Sequence, residues 1–381
     1  GKYRDKQTES CQARLFIFGE DVYMTRKYYI DNLRWLAILM LFPFHTAQIW
    51  NGGEYSGFYI WSHTNDFMYA FSTFVYPWYM TLLFAISGMS LKFALQKRTP
   101  KQIIVERVNK LMIPFVFGVL VLVPIMTYVA EIFFNGYTGT YLNQYILFFT
   151  KQTDLTGYSG GFTPAHLWFL LYLFVISLIA LLLVYIQKRK FPSLSFSKMP
   201  YMAIILLFIP EWLMQYILNI GGKSIGQYLF LFIVGYYILA DDKVLEKLKK
   251  YRFISLSLWL LSGGVYTYLY CFGEMRNELG TGLYVFFGWM GILALLGIGQ
   301  TILNFTNKFS QYMSKASFPI YILHLSILVV VGYFVLKLQL NIASQFIIIV
   351  IASFGITVLL YEVVRRIPYL RTAVGIARQT K

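Results

Sequence analysis

The sequence predicts an all-α polytopic membrane protein of about ten transmembrane helices with both termini cytoplasmic. Three observations carry that reading. Of the 381 residues, 58% belong to the set Ala, Val, Ile, Leu, Met, Phe, Trp, Tyr and Cys, and only 13% are charged, against about 25% charge in a typical soluble domain. That apolar content fills about ten stretches of about 20 residues, the length that crosses a hydrocarbon core of about 30 Å. Finally, Lys and Arg alternate between dense and sparse in successive connecting segments, as loops on the two sides of a membrane do. High hydropathy with low charge also excludes a disordered chain.

In chain order, the apolar runs bounded by charge or turn residues fall at about 33–50, 67–91, 111–134, 165–186, 200–220, 225–241, 253–270, 281–303, 317–336 and 342–364. Only the sixth is short. Its flanks, Gly221, Gly222 and Gly226 before it and Asp241 and Asp242 behind it, predict a tight hairpin with the fifth. With the N-terminus inside, the cytoplasmic segments hold 28 of the 33 basic residues. The outer segments hold only Lys151, Lys223, Arg276 and Lys337, and Arg34 stands at the mouth of the first span. The net charge of +16 is therefore positive-inside bias. A nucleic-acid partner is not expected, because its basic residues would gather on one face or tract.

Cys11 and Cys271 are the only cysteines; they fall on opposite faces of the membrane and lack the spacing of a metal or redox motif, so no metal site is expected. The first 23 residues lack the apolar core of a secretory signal. Met24 followed by TRKYY reads as a natural start and the preceding tail as an added or alternative extension. The expected division is an N-terminal tail over 1–27, one transmembrane domain over 28–368 and a cytoplasmic C-terminal tail over 369–381. The expected location is a cell membrane, crossed many times, of the bacterial inner or plasma type.

Ionisable side chains at membrane depth cost about 2.5–3.5 kcal/mol each on insertion scales, so each is a functional candidate. Here they are Arg34, His45, Glu131, Glu211, His324 and Glu362. In the first span, YYIDNLRWLAILMLFPFHTAQIW, Arg34 and His45 lie eleven residues apart, about 16 Å and three helical turns, hence on roughly one face. Pro43 removes the amide that would bond to the carbonyl of Leu39 and loosens the helix beside the histidine. In the ninth span, SFPIYILHLSILVVV, Tyr321 and His324 share a face. Arg34 alone reads equally well as a positive-inside residue, and His45 alone as an interhelical hydrogen-bonder.

Taken together, the Arg34-to-His45 spacing, the ten spans and the late Tyr-x-x-His resemble the membrane-embedded acyltransferase family 3 over about residues 28–366. Further similar stretches are FAISGMSLKFALQKR closing span two, ERVNKLMIPF opening span three and HLWFLLYL opening span four. One departure is Lys110, standing where that family carries a second Arg; a lysine still binds phosphate but loses bidentate geometry. The resemblance implies an acyl-CoA donor, usually acetyl-CoA, used as co-substrate from the cytoplasm with no tightly bound cofactor. The acyl group would pass to a hydroxyl of an extracytoplasmic glycan or similar acceptor.

The residues suit that task. Lys97, Arg98, Lys101, Arg107 and Lys110 form a basic mouth beside Arg34, and of these Arg107 and Lys110 are the expected donor contacts. Histidine is the side chain with a base near neutrality, and His45, near the midplane, is expected to carry the chemistry as general base or as a transient acyl-imidazole. His324, seven residues into a span starting at 317, would lie only about 10 Å deep and support it with Tyr321. His166 opens span four from outside and is expected at the acceptor, with Glu131 and Glu211 as buried carboxylates that orient a histidine or bind acceptor. His63, Asp66 and Glu362 read as solvated or structural. The competing reading is a secondary transporter of a small polar or sugar-like solute, which ten spans and intramembrane carboxylates also fit; the paired broken segments common in such proteins are not visible in the sequence.

Overall fold

Apolar runs with no water to satisfy their backbone must close their hydrogen bonds internally, and the chain is accordingly helical almost throughout. The computed structural model describes residues 26–52, 57–191, 195–273 and 277–376. The tail through residue 25 with Cys11, and Arg276, lie outside the described residues, as do residues 377–381.

Among the described residues, seven helices are long and apolar enough to cross a membrane: α2 (Asp66–Ala94), α3 (Pro100–Asn135), α5 (Ala165–Lys190), α9 (Arg252–Cys271), α10 (Glu278–Ile302), α11 (Lys308–Val335) and α12 (Ile342–Val364). Helix α1 (Tyr28–Ala47) has 20 residues and carries Asp31, Asn32, Arg34 and His45. It runs through Pro43 without breaking. Two shorter apolar helices, α6 (Tyr201–Met214) and α7 (Ile225–Leu239), are joined by the expected hairpin. There β1 (Asn219–Ile220) pairs antiparallel with β2 (Lys223–Ser224), and the turn residues Gly221 and Gly222 adopt φ +56° and +77°. The remaining helices, α4 (Tyr141–Thr150), α8 (Asp242–Lys250) and α13 (Pro368–Ala373), are short and lie between or after the long ones.

Two helices begin more than two turns earlier than their hydropathy predicts. Helix α3 starts at Pro100 rather than near 111, because Thr99 and Gln102 form a capping box and Pro100 occupies the first turn. Helix α11 starts at Lys308 rather than near 317, capped reciprocally by Asn307 and Ser310. In both, the first turns are charged, so hydropathy hides them while capping chemistry specifies them. Helix α3 also contains two π-turns, Val108–Met112 and Gly118–Leu122, a distortion that favours functional regions.

The start of α1 and the end of α12 share one end of the bundle. Lys27 pairs with Asp242, and Asn32 donates to the carbonyls of Leu303 (2.6 Å) and Phe305 (2.8 Å). Nearby, Tyr312 donates to Glu362 at 2.9 Å, and Glu362 holds Arg365 at 2.6 Å. Helix α1 packs against α2, α11 and α12. Small residues let α7 approach α2: a Cβ at Gly88 would stand 1.9 Å from the carbonyl oxygen of Phe232, and one at Gly235 would stand 2.1 Å from that of Ala85.

Candidate functional site: three histidines facing a basic mouth

The packing of α1 against α11, with the first turn of α5 hydrogen-bonded to α11, brings three histidines together. The ring centroid of His324 lies 5.3 Å from that of His45 and 5.0 Å from that of His166. The expected depth difference between His45 and His324 is therefore corrected: α11 starts nine residues sooner, placing His324 about 24 Å along it, level with His45 about 25 Å along α1.

Helix α11 also dictates how two of the rings are protonated. His324 Nδ1 donates to the carbonyl of Tyr321 at 2.6 Å, and His166 Nε2 donates to the carbonyl of Ile322 at 3.1 Å. The Tyr321 hydroxyl donates to the carbonyl of His166 at 2.5 Å, tying α11 to the first turn of α5. This first turn is entered through Ala165 at φ +48°, an unfavourable conformation for a residue with a Cβ. The second nitrogens, His324 Nε2 and His166 Nδ1, are buried without a partner. Both His324 and His166 are buried, whereas His45 keeps some exposed surface.

At the basic end, Arg34 donates to Asp31 (3.0 Å) and to Ser90 of α2 (2.9 Å). Arg107 lies within electrostatic reach of Arg34 and has no hydrogen-bond or ion-pair partner among the described residues. Lys110 is placed differently. It projects from an exposed turn and forms an ion pair with Glu106 at 2.6 Å, and Arg98 is bound to the same carboxylate. Of the two expected donor contacts on α3, only Arg107 retains an uncommitted charge.

On the opposite side of His45 the wall is aromatic. Phe58 stacks on His45 at 6.2 Å. Tyr76 has ring neighbours on three sides, Phe44 (6.3 Å), Tyr79 (6.5 Å) and Tyr284 (6.4 Å), yet is 45% exposed. The Tyr76 ring is thus flanked from α1, α2 and α10 and keeps an open face. The hydroxyls of Tyr76, Tyr79 and Tyr284 have no hydrogen-bond partner among the described residues.

The segment 151–163 covers this side. Glu131 is buried, and both its oxygens are taken: Lys151 donates to Oε1 and Asn135 to Oε2, each at 2.6 Å. The same two donors hold the carbonyl of Ser159 at 2.7 and 2.8 Å. Tyr59 reaches the carbonyl of Thr156 at 3.2 Å and packs edge-on against Tyr158. Burial pushes the Tyr158 phenol up to about 12 and lowers the Lys223 ammonium, which lies over the Trp168 ring. Glu131 thus clamps a loop and offers no free oxygen to an acceptor. Glu211, 1% exposed, accepts from Gln227 at 3.0 Å through Oε1, and its Oε2 has no partner; neither carboxylate touches the histidines.

A family model described as an acyltransferase domain, Acyl_transf_3, matches residues 27–362. The chain belongs to the acyltransferase 3 family. Its relatives include the glucans biosynthesis protein C of Salmonella schwarzengrund (strain CVM19633) and that of Salmonella typhi, each 25% identical over 380 residues, spanning 91% of this chain and 94% of the relative. No solved structure matches.

Within this acyltransferase the sequence reading missed the partners Ser90, Phe58, Tyr76, Tyr79 and Tyr284. Nothing in the sequence marks these tyrosines out among the chain's 31. Only Ser90 lay within a stretch already singled out.

Proposed function

We propose that this acyltransferase moves an acyl group, acetyl in the simplest case, from cytoplasmic acyl-CoA to a hydroxyl of an extracytoplasmic carbohydrate-type acceptor. The observation that carries the reading is the layout of α1: Arg34, with the uncommitted Arg107 beside it, at one end, and His45 about 16 Å along the helix at the histidine cluster. A polyphosphate needs fixed cations at a low-dielectric boundary, and the extended pantetheine arm would carry the thioester from that mouth toward His45. On this reading His45 carries the transfer, as base or as acyl carrier, with His324 and Tyr321 behind it. Arg34 and Arg107 hold the donor phosphates while Lys110 contributes field only. The acceptor lies against Tyr76, with His166 at its rear.

The basic end is then the cytoplasmic one, with ten passes through a bacterial inner or plasma membrane and both termini inside. The catalytic domain occupies 28–368, followed by a tail over 369–381. The name of the Salmonella relatives supports a glucan-like acceptor. The test is CoA release from acetyl-CoA by purified protein in lipid, with mass spectrometry of envelope glycans from cells with and without the gene. Acceptor-dependent CoA release is expected; its absence with every hydroxyl acceptor offered, in protein that is folded, rejects the proposal.

A further inference from the structure

The two ring nitrogens of His324 have different fates. Nδ1 lies 2.6 Å from the carbonyl of Tyr321; a carbonyl only accepts, so Nδ1 carries the proton. Nε2 is then a bare lone pair, and it is buried with no partner. Four rings surround it: His166 at 5.0 Å, His45 at 5.3 Å, Phe42 at 5.5 Å and Tyr321 at 6.0 Å. Phe42 has no donor. The Tyr321 hydroxyl is committed to the carbonyl of His166, and the Nε2 proton of His166 to the carbonyl of Ile322. Among these four neighbours, an uncommitted N–H remains only on His45. Its ring is close enough for a rotation about χ2 to aim that N–H at His324 Nε2, and such bonds are commonly loose before substrate binds.

We propose that His45 and His324 form a nucleophile–base pair, His45 taking the acyl group on one ring nitrogen while His324 Nε2 takes the proton from the other. The arrangement has the order of a catalytic triad: nucleophile, base, and a third group, the Tyr321 carbonyl, that fixes the base's tautomer. It rests on the acyltransferase reading above and decides between the two roles left open for His45. In the first step the unprotonated His45 nitrogen attacks the thioester carbon; the new C–N bond forms, the C–S bond breaks, and CoA leaves as thiolate while the single proton on the other His45 nitrogen passes to His324. In the second, the acceptor hydroxyl attacks the acyl-imidazole; a C–O bond forms, the C–N bond breaks, and His324 returns its proton to His45. The hydroxyl proton ends on the thiolate, so the sum is thioester plus alcohol giving ester plus thiol. His45 touches the acyl group; His324 acts through it and is a positioning residue.

The test uses the full chain in lipid with acetyl-CoA and no acceptor, quenched rapidly and mapped by peptide mass spectrometry. An acetyl adduct on His45 is expected in the parent. His324→Gln keeps the volume and can accept a hydrogen bond but holds no proton. It should bind CoA like the parent, melt at a similar temperature, and form the adduct about 10²-fold more slowly, a split between binding and rate that a merely structural residue would not produce. Adduct formation at the parental rate in His324→Gln overturns the pairing. So does a parent that transfers acetyl to an acceptor without any His45 adduct, a result that needs no variant to fold and leaves the acyltransferase reading standing. A folded parent that never releases CoA from acetyl-CoA removes that reading and this inference together.

Discussion

Replacing Glu131 by Gln isolates what the buried outer carboxylate does. Lys151 and Asn135 each donate to a different oxygen at 2.6 Å, and Glu131 is 4% exposed, so no water substitutes for a lost partner. The isosteric amide keeps one acceptor and turns the other position into an N–H₂ group facing a donor. Hydrogen bonds to charged groups contribute about 1.5–3 kcal/mol each; one is lost and the other becomes neutral. The Lys151 ammonium, one-third exposed, regains part of this from water, leaving a net cost of about 2 kcal/mol. Because Lys151 and Asn135 also hold Ser159, the cost falls on segment 151–163 and not on the bundle. A local opening of that segment should become roughly 30-fold more populated. Hydrogen–deuterium exchange of the protein in micelles reads this directly: amides in 151–163 exchange about 30-fold faster, while those of α10 and α11 stay unchanged. Equal exchange in parent and variant would refute the clamp and return Glu131 to the acceptor-binding candidates.

Charge reversal by Arg34→Glu or Arg107→Glu should weaken CoA binding at least tenfold in calorimetry, whereas Lys110→Ala, already spent on Glu106, should change it less than threefold; equal effects of the three would dissolve the distinction. His45→Ala should keep CoA binding and lose transfer by about 10² to 10⁴-fold, and near-parental turnover would displace it from the chemistry. Tyr76→Ala should raise the acceptor KM several-fold and leave the donor KM alone; a shift in the donor KM would place the acceptor elsewhere. In intact cells an impermeant maleimide should label Gln339→Cys and spare Lys249→Cys, both exposed positions; the opposite pattern would reverse the orientation.

The amino-acid sequence alone determined the solvent this chain folds in, the helical class, the hairpin between α6 and α7, and the Arg34-to-His45 spacing. Each of these is a local property, legible as hydropathy, turn residues or position along one helix. Helix starts were less legible, since Thr99 and Asn307 begin α3 and α11 inside charged stretches that hydropathy discounts. What only the tertiary structure decided are relations between residues far apart in the chain. His166 and His324 meet across more than 150 positions, because the first turn of α5 is hydrogen-bonded to α11 and no spacing encodes which side chains then face. The same holds for Glu131, whose partner is a lysine on the following loop, and for Lys110, which its own helix carries away to Glu106 while Arg107 keeps its charge free. Proton positions came last of all: backbone carbonyls of a single turn of α11 set the tautomers of two histidines, and a carbonyl's direction exists only once the chain has folded.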